Sequence, residues 1–404
     1  KTVTVFSWRD QMDSALTAGG SKPDMPKVYK DVGLTVKTVI TTHDTYWDHL
    51  SSLIASGQSP DLMEPDNTNF YPRSISSNLV APIDDYFDFD SDVWKDFKGL
   101  TEQYQINGKT YFSVEYLQMN EFLYYNPKLF QSKGLKTPLQ YWREDDWTMS
   151  TLQELADELV EKNGDKVTRI GFVPGNIGSI TGVELVEYSR TTGYKLNISN
   201  SKYARLMSYM EEMGVNGTQS AGFDAPQKVA TGEVAMAMTA TWAHTNELND
   251  ARLKGELEWC ILPKLDKNSE YYYNVTLQPT FGLVKGAKNP EGAAYLIELR
   301  KWAYLNYPWV QSMPFSGTAY TQKYGEKKAG DEGVVLMTDA ETAYTKELLS
   351  QGYDVIAANI WGGWMGSNQF PGITEVVSNG NKWSTVVANQ KPVLEAVLKT
   401  YKFS

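Results

Sequence analysis

The first 115 residues alternate between strand-like and helix-like patterns, and this alternation constrains the fold more than any other feature. Val3–Ser7 is a short β-rich run, Leu34–Thr41 alternates with a period of two, and Thr45–Ser56 repeats its apolar residues at helical spacing. Asp61–Glu64 then has the pattern of a short strand. Such alternation predicts a parallel sheet with helices on its faces, in which ligands bind at the carboxyl ends of the strands.

A second α/β region and a largely helical remainder follow. The strand-like runs are Tyr111–Tyr125, Arg169–Val173, Val234–Thr239, Glu256–Leu262 and Thr280–Lys285, and the helical runs are Thr151–Lys162, Asp224–Gly232 and Pro290–Ala303. Ser150 and Gln153 have the spacing of a capping box at the start of the first of these helices. The rest of the chain, to Ser404, is predicted to be mostly helical.

Composition limits both the architecture and the partners. A chain of 404 residues is too long for one ordinary core, which favours two lobes. The formal net charge of −11 argues against nucleic acid or an anionic membrane as the main partner. The 12 tryptophans and 25 tyrosines exceed the needs of a core, and several tryptophans lie in polar surroundings, which indicates an aromatic surface for a ligand.

The familiar motifs of catalysis and of cofactor or metal binding are missing from the sequence. It lacks the nucleophile elbow, the phosphate-binding loop, the dinucleotide fingerprint and the zinc-protease helix. The three histidines are not spaced as metal ligands, and Asp88–Asp92 lacks the glycine and glutamate of a calcium loop. Cys260, the single cysteine, lies in an apolar run and is expected to be a buried thiol. We therefore expect no cofactor, no metal and no catalytic residue.

Several segments, in order over about 300 residues, share the motifs of one family. They are Leu50–Met63 with its Gly-x-x-Pro-Asp step, Leu79–Tyr86, Asn107–Tyr111, Leu123–Phe130, Trp147–Leu155, Ala230–Met238 followed by Trp242, and Lys285–Ala294. Through them the chain resembles the extracellular solute-binding proteins of carbohydrate ABC importers, the group that contains maltodextrin-binding protein (family 1). Trp147–Leu155 departs from the usual pattern, and the last 100 residues match only loosely.

The resemblance implies a two-lobed α/β fold like that of periplasmic binding proteins. Each lobe would be a mixed sheet flanked by helices, with the ligand cleft between the lobes and extra helices at the C-terminal end. One lobe would comprise residues 1–115 and 276–315, and the other residues 116–275 and 316–404. The lobes would close on a sugar about a hinge where the chain crosses between them.

The candidate binding residues follow predicted strands or lie in aromatic loops. A neutral sugar offers hydroxyls and C–H faces, so its site needs aromatic rings together with Asp, Asn, Gln and Arg. Candidates after the first three strands are Trp8, Arg9, Asp10, His43, Asp44, Asp66 and Asn67, and Gln278 precedes a later one. The resemblance adds Tyr116, Gln118 and Asn120 at the crossover, and Trp242, Trp361 and Trp364 as ring-stacking residues. Three alternatives to ligand binding stay open: Trp8 packs locally, Arg9 and Asp10 form a solvated pair, and Asp44 caps its helix.

Three functions compete for this set of residues. The first is an importer-linked carrier of a carbohydrate, and the number of aromatic candidates favours an oligosaccharide. The second is a glycoside hydrolase, which needs two carboxyl groups about 5 Å or about 6.5–9.5 Å apart. The third is a carrier of another solute, which would need an acidic aromatic cage for a cation or several arginines for an anion. One arginine among three aspartates and many aromatics fits an uncharged polyol best.

The resemblance also implies partners and a location. The partners would be the carbohydrate and the membrane permease subunits of an ABC importer, with no nucleic acid, and the protein would act as a monomer. We expect it to lie outside the cytoplasm, either in the periplasm or lipid-anchored at the outer face of the cell membrane, with the signal or anchor segment absent from this chain. No apolar stretch of about 18 residues is present that would span a membrane.

Overall fold

A computed structural model describes most of the chain. The described residues are 2–12, 24–65, 70–119, 121–175, 177–189, 193–219, 225–240, 255–272, 275–306 and 372–401. Their strands are β1 (Thr2–Ser7), β2 (Thr35–Ile40), β3 (Leu62–Met63), β4 (Gln105–Ile106), β5 (Lys109–Thr110), β6 (Val114–Met119), β7 (Glu121–Tyr125), β8 (Glu161–Asn163), β9 (Lys166–Val173), β10 (Val186–Ser189), β11 (Gly193–Leu196), β12 (Val234–Ala240), β13 (Glu258–Cys260), β14 (Val275–Pro279) and β15 (Gly282–Leu283).

The helices of the described residues are mostly short. They are α1 (Met25–Asp31), α2 (Tyr46–Ala55), α3 (Arg73–Ser76), α4 (Lys98–Thr101), α5 (Pro127–Ser132), α6 (Pro138–Arg143), α7 (Met149–Leu159), α8 (Ser201–Val215), α9 (Ala225–Thr231), α10 (Pro290–Asn306), α11 (Gly372–Val377) and α12 (Trp383–Leu398). Single 3-10 turns occupy Asp84–Tyr86, Lys95–Phe97, Glu102–Tyr104 and Ile177–Thr181.

The N-terminal sheet has the strand order β15-β3-β1-β2. β1 runs parallel to β2 and β3, and β15 pairs with β3 in the antiparallel sense. Val3 and Val5 are fully buried, as expected for a strand at the centre of a sheet with covered faces. Ser7 pairs with Ile40 and Phe6 with Met63, so the three parallel strands end at one edge. The sheet confirms the parallel arrangement that the alternating pattern predicts.

Two helices cover this sheet and share a core with it. In α1 the Asp24 side chain accepts a hydrogen bond from the Lys27 amide over 3.1 Å, which satisfies one of the free amides of the first turn. Tyr29 of α1 and Leu296 of α10 are both fully buried against the strands. The core therefore joins α10 to strands that precede it by almost 300 residues.

A second sheet has the order β13-β7-β12-β9-β8 and is mixed. β12 runs parallel to β9 and antiparallel to β7, while β13 and β8 are antiparallel to their neighbours. Residues Val234 to Met238 of the central strand β12 are all buried. Cys260 of β13 is buried as well, which confirms the prediction of a structural thiol.

A two-stranded ribbon of β6 and β14 connects the two sheets along the chain. Among the described strands, β6 and β14 pair with each other alone, in the antiparallel sense. β6 leads into β7 of the mixed sheet, and β14 leads into β15 of the N-terminal sheet. The chain thus crosses between the sheets in both directions within this ribbon.

The C-terminal helices pack on the mixed-sheet side of the molecule. α11 and α12 both contact α8. Glu211 of α8 accepts hydrogen bonds from the Trp383 amide over 2.7 Å and from Lys382 Nζ over 2.8 Å at the start of α12. Within the described residues 372–401, the predicted helical character of the C-terminal remainder is confirmed.

Helix α7 begins two residues before its predicted start. Thr148 is its N-cap and accepts a hydrogen bond from the Thr151 amide over 3.2 Å, so Ser150 lies inside the first turn. The helix ends at Leu159, because the next residue has an extended backbone that leads into β8. The predicted capping box of Ser150 with Gln153 is therefore wrong.

Candidate functional site

The carboxyl edge of the N-terminal sheet gathers side chains from three segments that are distant in sequence. Trp8 follows β1, His43 follows β2, and Glu64 follows β3 directly. Because β1, β2 and β3 are parallel and end together, the residues after them lie side by side. This edge is where a parallel α/β sheet binds its ligands, and we refer to its described residues 8–11, 41–45 and 64–65 as the carboxyl-edge site.

An aromatic pair forms one part of the carboxyl-edge site. The rings of Trp8 and His43 lie 4.8 Å apart between centroids, with an angle of 32° between their planes. Tyr46, at the start of α2, lies behind Trp8 at a centroid distance of 6.0 Å and is fully buried. Trp8 is half-buried and His43 is exposed, so the pair presents ring surface to solvent while one side of Trp8 packs on the core.

An ion pair forms the second part. Arg9 Nη2 lies 2.5 Å from Glu64 Oε1, and Arg9 Nε donates to the same oxygen over 3.1 Å. The side chain of Glu64 is 7% exposed and that of Arg9 is 32% exposed. Arg9 therefore pairs with a buried carboxylate rather than with its neighbour Asp10, which corrects the alternative of a solvated Arg9–Asp10 pair.

Ser7 and Gln11 complete the polar network around Glu64. The Ser7 hydroxyl donates to Glu64 Oε2 over 2.5 Å, and Gln11 Nε2 donates to the same oxygen over 2.7 Å. Tyr46 donates its hydroxyl to the Glu64 carbonyl oxygen. Sequence reasoning did not select Ser7, Gln11 or Glu64 for the site. The available signal was an acidic residue at the end of the short predicted strand Asp61–Glu64.

The two aspartates of the carboxyl-edge site are exposed. Asp10 Oδ1 accepts hydrogen bonds from the Met12 amide and from Thr38 Oγ1, each over 3.0 Å, and so holds the loop after β1 against β2. Asp44 is exposed and does not cap α2, because the N-cap of that helix is Thr45. Helix capping by Asp44 is thus excluded.

Three further candidates lie on the ribbon between the sheets. Tyr116 and Gln118 are in β6, and Gln278 is in β14. Gln278 is the register partner of Tyr116, and Gln118 is paired with Thr276. The backbone thus brings Tyr116 and Gln278 together at the crossover. The sequence predicted the crossover position for Tyr116 and Gln118, whereas Gln278, which was predicted to precede a strand, lies within one.

The remaining candidates lie outside the described residues and stay predictions. They are Asp66, Asn67, Asn120, Trp242, Trp361 and Trp364. Strand β12 is described up to Ala240, two residues before Trp242.

Glu184 is a carboxylate with an unusual pKa outside the carboxyl-edge site. It lies between the 3-10 turn Ile177–Thr181 and β10, where Asn197 Nδ2 donates to its carbonyl oxygen over 2.9 Å. Burial, and then the charge of Glu187, raise the pKa of Glu184 to about 7. Burial raises the pKa of Tyr104 as well, and the negative charge of Glu184 adds to that shift. Glu184 is thus half-ionised near neutral pH.

Metal-ligand clusters and membrane-spanning helices are two features to look for in the part of the chain that the structure describes. There, His, Cys, Asp and Glu side chains nowhere gather in a group of three or more that could hold a metal ion. The described helices include none with the length and apolar character needed to cross a bilayer.

Comparison with known families agrees with this architecture. Residues 12–307 match the model of the bacterial extracellular solute-binding protein family. The chain belongs to this family of solute-binding proteins. The membership confirms the resemblance that the sequence motifs carry. No curated protein sequence matches the chain.

Solved structures of solute-binding proteins share the fold at low sequence identity. The GacH receptor of Streptomyces glaucescens, solved unliganded and with acarbose, has a TM-score of 0.62 and 17% identity, with 99% of each chain covered. The cyclic α-maltosyl-1,6-maltose binding protein of Arthrobacter globiformis has a TM-score of 0.67 and 14% identity, again with 99% of each chain covered. The galacto-N-biose/lacto-N-biose I-binding protein of Bifidobacterium longum, from an ABC transporter and in complex with lacto-N-biose, has a TM-score of 0.67 and 13% identity over 100% of this chain and 98% of that one.

These matches confirm the predicted fold class. The chain has the two-lobed α/β fold of periplasmic binding proteins, with additional C-terminal helices. The family comprises bacterial extracellular solute-binding proteins, and the structural neighbours are a receptor and two sugar-binding proteins. The carboxyl-edge site therefore lies on a scaffold that these relatives use for solute capture.

Proposed function

We propose that this chain is the substrate-binding component of an ABC importer, that it captures an oligosaccharide and that it catalyses no reaction. The observation that carries the proposal is the carboxyl-edge site. There, the exposed ring surface of Trp8 and His43 lies on the same sheet edge as the Arg9–Glu64 ion pair.

This combination matches the chemistry of a sugar. The C–H face of a pyranose ring packs on an aromatic surface, while its hydroxyls need fixed donors and acceptors. Arg9 is held by Glu64 before any ligand binds, which lowers the entropy lost on binding. An uncharged polyol suits the site better than an anion, because Glu64 already neutralises the one guanidinium.

Closure about the ribbon of β6 and β14 is the proposed mode of capture. One lobe would comprise residues 1–115 and 276–315, and the other residues 116–275 and 316–404. The carboxyl-edge site would hold one side of the sugar. Candidates of the second lobe, with Trp242 foremost, would contact its other side and so favour the closed form.

The partners follow from this mode of action. The closed, loaded protein would dock as a monomer on the permease subunits of the importer. Its place would be the periplasm or the outer face of the cell membrane, where a lipid anchor would hold it. The ligands in the structural neighbours, among them acarbose and lacto-N-biose, support an oligosaccharide as the cargo class.

A thermal-shift screen tests the proposal. The panel contains maltotriose, mannotriose, lacto-N-biose and cyclic maltosyl-maltose, each at saturating concentration. A sugar at about 100 times its Kd adds roughly 2.7 kcal/mol to the free energy of unfolding. Chromatography of the same mixtures after long incubation checks for hydrolysis. A shift with intact sugar supports a carrier, whereas cleavage products would point to a glycoside hydrolase, and no shift with any panel member would count against oligosaccharide capture.

A further inference from the structure

Among the described residues, the donors to the Glu64 carboxylate come from the first strand and the loop after it. Its Oε1 accepts from Arg9, and its Oε2 accepts from Ser7 and Gln11. The residue itself is only 5% exposed, so its charge is stable there because these donors surround it. Glu64 lies 55 residues from Arg9 in the sequence, and only the register of β1 against β3 brings the two together.

The pairing leaves part of the guanidinium free for a ligand. Arg9 uses Nε and Nη2 on Glu64, and Nη1 has no hydrogen-bond partner among the described residues. Since the Arg9 side chain is 32% exposed, Nη1 is a donor held in a fixed position at the carboxyl edge. An arginine that is held on one side in this way donates to a hydroxyl oxygen without losing much side-chain entropy.

The pairing also sets the charge of the site. An unpaired arginine at a sheet edge would be a strong binding group for carboxylate or phosphate. Glu64 cancels that charge, and the exposed carboxylates of Asp10 and Asp44 add two further negative charges nearby. The described part of the carboxyl-edge site is therefore net negative, and an anionic ligand would meet repulsion there.

We propose that Glu64 is a positioning residue that determines charge specificity. It orients Arg9 as a donor to sugar hydroxyls and at the same time prevents Arg9 from acting as an anion-binding group. The site then admits neutral oligosaccharides and rejects sugars that carry a carboxylate or a phosphate. This inference rests on the proposed function, because it takes Arg9 to face the bound sugar.

A simple structural role for Glu64 makes a different prediction. If the carboxylate only stabilised the loop after β1, its replacement would lower the affinity for neutral and for anionic sugars by the same factor. If it sets the charge of the site, its replacement changes the ratio of the two dissociation constants. That ratio, the Kd of a carboxylate-bearing sugar over the Kd of its neutral counterpart, is the quantity to measure.

The experiment uses the neutral panel and the same sugars with one hydroxymethyl group oxidised to a carboxylate. Dissociation constants are measured by calorimetry at low and high salt for the full chain and its variants. Glu64→Gln should bind the carboxylate sugars about tenfold or more tighter than the wild type does, while it loses affinity for the neutral sugars. High salt should reduce this gain, because the added attraction is electrostatic.

Two more variants separate charge from packing. Arg9→Gln should raise the ratio, because Glu64 is then a carboxylate without its cation and repels anionic sugars. If Glu64→Gln does not fold, Arg9→Gln still tests the inference, because Arg9 is partly exposed and its position tolerates substitution. Glu64→Asp keeps the charge but misplaces Arg9, so both affinities should fall while the ratio stays close to that of the wild type. Circular dichroism and the Tm of each variant confirm that it is folded.

The outcomes also separate this inference from the proposed function. An unchanged ratio in folded Glu64→Gln, or no binding of carboxylate sugars by that variant, would overturn the specificity role. A wild-type chain that binds no neutral sugar would instead count against the proposed function. A higher affinity of Glu64→Gln than of the wild type for carboxylate sugars would support charge compensation by Glu64, whether or not the wild type binds a neutral sugar.

Discussion

Arg300 of α10 and Glu115 of β6 form a bidentate ion pair that is almost completely buried. Arg300 Nε and Nη2 donate to the two carboxylate oxygens over 2.6 and 3.0 Å, and the side chains are 6% and 4% exposed. Arg300 Nη1 also donates to the Tyr29 hydroxyl over 2.9 Å, and Lys301 Nζ donates to the Glu115 carbonyl oxygen over 3.0 Å. α10 thereby anchors the start of the ribbon that connects the two sheets.

Breaking this pair should be costly. Glu115→Gln leaves the guanidinium of Arg300 buried without its counter-charge, and we expect the free energy of unfolding to fall by about 3 kcal/mol or more. Replacing both partners, by Glu115→Leu with Arg300→Met, should cost less than Glu115→Gln alone. Urea unfolding measures each change, with Glu298→Gln on the exposed face of α10 as the control. A loss under about 1 kcal/mol for Glu115→Gln would contradict the anchoring role.

Glu184 should make stability depend on pH. Burial raises its pKa from 4.5 to about 7, so between these values the folded state holds a proton that the unfolded state has released. Its contribution to stability is therefore fully present below pH 4.5 and is lost as the pH rises to about 7.

The size of this effect follows from the shift in pKa, which corresponds to about 3 kcal/mol. Glu184→Gln keeps the neutral form at every pH, so its stability relative to the wild type should rise from near zero at acidic pH to about 3 kcal/mol at pH 8. Chemical unfolding over the pH series measures the difference, with exposed Glu270→Gln as the control. A difference that does not vary with pH would show that Glu184 is ionised normally.

Gly171 in β9 lets that strand approach α7 closely. A Cβ atom at this position would lie 2.4 Å from the Ala156 carbonyl oxygen, which belongs to backbone and does not move aside easily. Gly171→Ala should therefore destabilise the protein by about 1–3 kcal/mol. Gly99→Ala is the matched control, because a Cβ there meets nothing within 4 Å. Equal Tm values for the two variants would mean that the strand and helix separate at little cost.

The sequence predicts the candidate site only in part, and for a physical reason. Trp8 and His43 are identifiable because each follows a strand whose pattern is local and whose partners are parallel. The sequence predicts only that Glu64 ends a strand. Its role depends on contacts with Arg9 and Gln11, which are more than 50 residues away in the chain. Strand patterns indicate which edge holds the site, but the pairing of charges across strands needs the register.

The cap of α7 shows the same limit at the level of local structure. Thr148 and Ser150 are both good N-caps, and local propensity does not choose between them. Tertiary hydrogen bonds decide, since Lys264 donates its amide to the Trp147 carbonyl and accepts from the Met149 amide over 3.1 and 3.0 Å. These bonds to a distant segment hold the chain extended through Thr148, so the helix begins directly after it.

The most direct test of sugar capture at the carboxyl-edge site is calorimetric titration of three proteins with the neutral panel. They are the wild type, Trp8→Ala and Trp302→Ala, where Trp302 is a tryptophan 47% exposed on α10. We predict that the wild type and Trp302→Ala bind the same oligosaccharide equally well, and that Trp8→Ala, though folded, binds it about tenfold or more weakly. Equal affinity of all three proteins for the sugar would contradict the account.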